Sequence, residues 1–144
     1  MNAAARIGPN AITRVAEALI VGGGPGLAQQ VFERAGLAAY LRDPPGQMVD
    51  EAEVTRLHRE LRSLLGGPVA AAVAREAGLR TATYLLAHRI PRPVQAVLRR
   101  LPAPLAARVL LRAIRRHAWT FAGSGRFEAR AGTPVVLTLR DNPL

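Results

Sequence analysis

Residues 117–140 read HAWTFAGSGRFEARAGTPVVLTLR, and within them the sequence changes from helical to strand periodicity. Before Gly123-Ser124-Gly125 the apolar residues recur every three or four positions, whereas after it they alternate with polar residues on both sides of Gly132. Alternation across a glycine predicts a β-hairpin. The sequence therefore predicts an α+β fold, in which a helix-rich N-terminal two-thirds is followed by a C-terminal β-hairpin.

Upstream of the hairpin, glycine and proline divide the chain into helical segments. Asn10 is the predicted cap of the first helix, and Asp50 with Glu53 three residues later is typical of a capping box. We find no internal repeat and no long linker, so we expect residues 1–144 to form a single domain. The predicted helices span residues 10–21, 25–35, 51–65, 68–89, 94–101 and 104–121.

The composition removes several classes of chemistry. The chain has no cysteine, which excludes disulfides, thiolate catalysis and cysteine-bound zinc or iron–sulfur clusters within it. All 20 basic residues are arginine, so neither a Schiff-base lysine nor a P-loop lysine is present. With 49% apolar residues, but no uninterrupted apolar run of membrane-spanning length, we expect a folded protein that is cytoplasmic and not transmembrane.

Charge is distributed unevenly along the chain. Residues 1–78 contain eight arginines and eight carboxylates, whereas residues 79–144 contain twelve arginines against Glu128 and Asp141. Such a field attracts anions such as a carboxylated small molecule or an acidic protein. We expect no nucleic acid partner, because few aromatic residues lie among the arginines and no nucleic-acid-binding signature is present.

The glycine-rich stretch from Gly22 to Gly26 invites comparison with a dinucleotide-binding fingerprint. That fingerprint requires glycine at its sixth position, where this sequence has Leu27, and it requires a preceding strand. We interpret the stretch as a loop between two helices, with an anion-binding loop at the second helix as the alternative.

Candidate ligand-binding residues concentrate on the predicted helix over residues 104–121. His117 shares a predicted apolar face with Leu110, Ile114 and Phe121, so it is either a hydrogen-bonded core residue or a residue facing a ligand. The arginines on the opposite face either form a solvated surface or dock carboxylates. No nucleophile lies at a recognisable spacing from a histidine and an acid, so we expect no catalytic residue. The candidate set is His117, Trp119, Phe121, Arg108, Arg112 and Arg115.

Four segments resemble a known family in the correct order: residues 7–12, 84–91, 101–105 and 117–125. The family is that of bacteriochlorophyll 4-vinyl reductase, which gives its name to the 4-vinyl reductase domain, and the resemblance extends from Ile7 to Leu144. It implies an α/β fold like that of a vesicle-tethering complex subunit, with a pocket for small hydrophobic molecules. Members of the family continue beyond the position of Leu144, so we expect this chain to be truncated at its C-terminal end relative to them.

The resemblance implies three functions. The one we favour is tetrapyrrole binding in bacteriochlorophyll biosynthesis, as a carrier that delivers a porphyrin or chlorophyllide-type intermediate to magnesium chelatase or another pathway enzyme. The alternative is a vinyl reductase that uses an external electron donor, and the third is a sensor domain for small hydrophobic molecules. We identify no cofactor motif, which favours a carrier over an enzyme. A bound magnesium tetrapyrrole is the expected ligand, and His117 is a candidate axial ligand of its magnesium. Besides a cytoplasmic location, the resemblance allows peripheral association with the photosynthetic inner membrane.

Overall fold

The computed structural model describes residues 5–143, and the predictions that involve residues 1–4 and Leu144 lie outside this range. These residues form two compact units, residues 5–83 and 84–143, here called the N-terminal unit and the C-terminal unit. The predicted α+β class, helix-rich and then a hairpin, is confirmed. In chain order the elements are β1 (Arg6–Ile7), α1 (Asn10–Arg34), a 3-10 helix (Ala38–Leu41), β2 (Val49–Asp50), α2 (Glu51–Leu65), α3 (Gly67–His88), α4 (Arg92–Arg100), α5 (Ala103–Arg116), α6 (Trp119–Ala122), β3 (Arg126–Arg130) and β4 (Val136–Arg140).

The glycine-rich stretch is a kink inside α1 and not a loop. Only Gly24 leaves the helical conformation there, with φ 81° and ψ 170°. The next residue, Pro25, explains the position of the kink, because its ring disfavours helical geometry in the residue before it and clashes with the preceding turn. The predicted break is therefore confirmed, but it occupies a single residue with helix on both sides.

The predicted caps have different outcomes. Asp50 caps α2, because its Oδ1 accepts a hydrogen bond from the Ala52 backbone N–H at 2.8 Å. Glu53 does not complete a capping box; its carboxylate accepts a hydrogen bond from the Tyr40 hydroxyl at 3.1 Å instead. The predicted cap of the first helix is wrong by one residue, since Pro9 occupies the cap position and Asn10 begins α1.

The core of the N-terminal unit lies between α1 and α2. One face of α2 is apolar, and its Val54, Leu57 and Leu61 are fully buried. A two-stranded antiparallel sheet, which the sequence did not predict, closes one end by pairing Arg6 with Asp50 and Ile7 with Val49. Residues of α1 and of the segment after it complete the core: Ile12, Val15, Leu19, Val31, Phe32 and Leu37.

The C-terminal unit contains the end of α3, then α4, α5, α6 and the hairpin. The predicted hairpin is confirmed, with β3 and β4 antiparallel and Phe127 opposite Leu139. The unit has few buried side chains: among its described residues only Leu111, Ala118 and Ala122 are buried. None of the helices within residues 5–143 combines the length and the hydrophobicity that a membrane span needs.

The single helix predicted over residues 104–121 is wrong. α5 ends at Arg116, His117 adopts a non-helical φ of −112° and ψ of 10°, and the short helix α6 begins at Trp119. The buried positions of this region are Leu111, Ala118 and Ala122, whereas Leu110 and Phe121 of the predicted face are each 41% exposed.

Candidate functional site

A cleft of about 430 Å³ lies in the C-terminal unit, where the start of α5 faces the turn between β3 and β4. Its volume falls within the range of small-molecule binding sites, roughly 300–1,000 Å³. Its lining consists mainly of small and apolar side chains, so much of the wall is backbone, Cβ atoms and methyl groups. The lining residues are Ala103, Pro104, Ala107, Arg108, Ala131, Gly132, Thr133 and Val135.

Local sequence explains how both walls are positioned. Pro102 precedes α5 in extended geometry and Pro104 lies in its first turn, a position where proline costs no hydrogen bond. The opposite wall is the five-residue connection between β3 and β4, which contains a cis peptide bond between Thr133 and Pro134. Since α5 packs against β3, the beginning of the helix and the turn of the hairpin face each other.

Arg108 is the one charged residue among those that line the cleft. Both carboxylates of the C-terminal unit are engaged elsewhere: Asp141 pairs with Arg126 at 2.7 Å, and Glu128 lies 3.6 Å from Arg140. Within residues 5–143, Arg108 therefore forms no ion pair. An exposed guanidinium at the edge of an apolar wall can form charge-assisted, bidentate hydrogen bonds to a carboxylate.

The predicted arginine stripe is present, but only one member reaches the cleft. Arg112 and Arg115 follow Arg108 by four and seven residues, so the three side chains share one side of α5. All three are exposed, and neither Arg112 nor Arg115 lines the cleft. The stripe thus extends positive charge along the helix away from the cleft.

The placement of His117 on a buried inner face is wrong. His117 is exposed and follows the last residue of α5, where its backbone N–H donates to the Ile114 carbonyl at 3.0 Å. It does not line the cleft. The physical reason is that the face extrapolated from Leu110 and Ile114 is not the inner one, since Leu110 is 41% exposed and Leu111 is the buried residue of α5.

The two candidate aromatic residues lie on α6, also outside the cleft lining. Trp119 is 61% exposed and Phe121 is 41% exposed. The Phe121 ring meets the Phe127 ring of β3 edge to face, with centroids 5.2 Å apart. The structure therefore does not assemble the six candidates into one site: Arg108 lines the cleft, whereas the other five residues lie along α5 and α6.

The other histidines have distinct surroundings. His58 is half-buried on α2; burial, and then the charge of Arg62, lower the pKa of its imidazole. His88 lies in the last turn of α3 and stacks on Tyr84 with centroids 4.7 Å apart. Residues 5–143 contain no cluster of three His, Asp or Glu side chains that could hold a metal ion.

Sequence reasoning found Arg108 but missed the turn that faces it. The residues from Ala131 to Val135 carry no charge and no recognisable motif. Their role depends on the docking of the hairpin against α5, which is a contact between distant parts of the sequence. Gly132 and Pro134 indicated a turn in the sequence, but they did not indicate that this turn faces α5.

Comparison with known proteins gives two curated relatives. The chain is 44% identical over 139 residues to the Bacteriochlorophyll synthase 23 kDa chain of Cereibacter sphaeroides, and 39% identical over 139 residues to the protein of the same name from Rhodobacter capsulatus. These alignments cover 96% of this chain but 66% and 64% of the relatives, so the chain spans about two thirds of their length. No family model matches the chain, and no solved structure matches it significantly.

The names of both relatives refer to bacteriochlorophyll synthesis. They agree with the pathway that the four sequence segments indicated. They do not single out the 4-vinyl reductase family, because both relatives are named as chains of a bacteriochlorophyll synthase.

Proposed function

We propose that this chain binds a carboxylated tetrapyrrole of bacteriochlorophyll biosynthesis and delivers it, chemically unchanged, to an enzyme of the pathway such as magnesium chelatase. The observation that carries the proposal is Arg108, whose guanidinium forms no ion pair within residues 5–143 and lies at an otherwise uncharged cleft of about 430 Å³. The similarity to two proteins named for bacteriochlorophyll synthase supports the choice of pigment class.

The residues that line the cleft suit both the macrocycle and the propionate of such a pigment. The macrocycle is flat and apolar, and it would lie against Pro104, Ala107 and Val135. Its propionate would accept hydrogen bonds from Arg108, the only lining residue that can supply a charge-assisted pair. Because Arg108 is exposed, its guanidinium does not pay a desolvation cost before the ligand arrives.

Delivery is favoured over reduction by the residues that surround the cleft. A vinyl reductase must place a donor and a proton source beside the vinyl group, but the lining offers one hydroxyl, that of Thr133, and one guanidinium. The glycine-rich stretch, the nearest approach to a dinucleotide motif, lies within α1 with helix on both sides. A sensor role is not supported by any particular contact.

A spectral titration with protochlorophyllide tests the proposal. The wild-type protein should bind the pigment with a stoichiometry of one, and Arg108→Gln should weaken binding about tenfold or more, the scale of one hydrogen bond to a charged group. Arg75→Gln is the matched control, since it removes the same charge from an exposed position on α3 in the N-terminal unit. Equal weakening by both substitutions, or none by Arg108→Gln, would refute a specific site at the cleft.

A second measurement separates delivery from reduction. Divinyl protochlorophyllide extracted after incubation with the protein and NADPH should keep its vinyl groups, and, in a separate assay, metal-free protoporphyrin loaded on the protein should reach magnesium chelatase faster than free protoporphyrin does. Recovery of the ethyl product would establish the reductase instead.

A further inference from the structure

We propose that α4 and α5, together with Trp119, form a surface that attaches the chain peripherally to anionic lipid membranes. This surface, here called the amphipathic surface, shares α5 with the cleft but includes none of the residues that line it, and it needs no pigment. Three observations lead to it: half-exposed apolar side chains on both helices, arginines without ion pairs beside them, and an exposed tryptophan immediately after α5.

α4 is a short helix with a sharply divided surface. Val94 and Val97 lie on one side and are 45% and 56% exposed. At 100° per residue, Arg92 and Arg99 fall on the other side and Arg100 lies at the boundary, next to Val97. None of the described residues of α4 is buried, so packing inside the protein does not explain the apolar side. A basic helix of this kind lies in a membrane interface with its apolar side in the lipid.

α5 also has exposed apolar side chains, but they share one side of the helix with two arginines. Leu111 is buried, whereas Leu105 and Val109, one turn apart, are 46% and 50% exposed. Arg112 and Arg116 lie on the same side of the helix on the following turns. Arginine can keep its alkyl stem along an apolar layer while its guanidinium reaches the headgroups.

Trp119 adds a side chain that favours the boundary between lipid and water. It is 61% exposed, three residues beyond the end of α5, and its indole combines a large apolar body with one N–H donor. Tryptophan is enriched at membrane interfaces for this reason.

The positive charge of the amphipathic surface favours an anionic membrane as its binding partner. No acidic residue occurs between Glu76 and Glu128, and the arginines of α4 and α5 form no ion pairs within residues 5–143. A second copy of the chain would bring the same positive field against it, which disfavours self-association. An anionic bilayer supplies both the negative headgroups and an apolar layer that can accept side chains arranged along helices.

Trp119 is the only tryptophan of the chain, so it reports directly on the amphipathic surface. The pigment-free protein is mixed with phosphatidylcholine vesicles that either contain or lack phosphatidylglycerol, and flotation is combined with tryptophan emission. We expect flotation and a shift of emission to shorter wavelength only with the anionic vesicles, and weaker binding at high salt.

Two double variants separate the contribution of the arginines to membrane binding from that of the apolar side chains. Arg99→Gln with Arg100→Gln should weaken partitioning at least about tenfold, since each arginine near an anionic surface contributes on the order of 1 kcal/mol. Val94→Gln with Val97→Gln should also weaken it, and circular dichroism verifies that the exposed substitutions leave the helices intact. The matched control, Arg42→Gln with Arg75→Gln, removes two exposed arginines of the N-terminal unit and should bind as the wild type does.

Several outcomes would overturn the proposal. These are no flotation, equal binding to neutral vesicles, equal loss in the control variant, or flotation without a change in Trp119 emission. Binding to soluble polyglutamate with the same emission shift would assign the surface to an acidic protein instead.

Discussion

At the scale of single residues, His58 makes the stability of the N-terminal unit depend on pH. Burial, and next the charge of Arg62, hold the pKa of its imidazole below the ordinary value of 6.5. The folded state therefore favours the neutral ring, and its contribution is complete above pH 6.5 and is lost as the pH falls through the lowered folded-state pKa. We expect the free energy of unfolding to fall as the pH is lowered below 6.5, and to fall less in His58→Gln. Chemical denaturation at a series of pH values measures the free energy of unfolding. His88→Gln is the control variant, and its free energy of unfolding should change with pH as that of the wild type does.

His117 leads to a second prediction at the same scale. Because its ring is exposed after the end of α5, His117→Ala should leave the melting temperature unchanged and should spare binding of metal-free porphyrins. Thermal melting and pigment titration measure the two effects. An early melt would show that the side chain supports the core after all, whereas weakening confined to magnesium-containing pigments would assign it the role of axial ligand.

At the scale of elements, the kink in α1 can be tested with two neighbouring glycines. Gly24 has φ 81° and ψ 170°, which a residue with a Cβ rarely adopts, so Gly24→Ala should destabilise the protein by about 1–3 kcal/mol. Gly22 has helical geometry with nothing within 4 Å of an added Cβ, so Gly22→Ala should stabilise it by about 0.5–1 kcal/mol. Opposite signs in urea denaturation are the expected result, and equal effects would contradict a kink confined to Gly24.

The elements also show what the sequence could and could not reveal. α2 was predictable because Asp50 caps it and Leu57 and Leu61 repeat at helical spacing, and the hairpin was predictable because its alternation is local. The end of α5 was not, since neither glycine nor proline interrupts the sequence at His117.

At the scale of the whole molecule, structural and electrostatic roles are divided along the chain. The N-terminal unit contains most of the buried apolar residues among those described, whereas the C-terminal unit holds eleven arginines against two carboxylates. The sequence revealed this division of charge and also indicated Arg108. It could not reveal the cleft, because the partner wall at Thr133 and Val135 is brought to α5 only by the docking of the hairpin.

The central claim is that Arg108, and not the diffuse positive field, recognises a pigment carboxylate. The most direct measurement compares a porphyrin acid with its methyl ester by fluorescence titration of the wild type, Arg108→Gln and the Arg75→Gln control. The wild type and the control should prefer the acid by about 1.5–3 kcal/mol, the strength of a hydrogen bond to a charged group, and Arg108→Gln should bind acid and ester equally. Equal wild-type affinities for acid and ester, or a preference for the acid that persists in Arg108→Gln, would contradict the account.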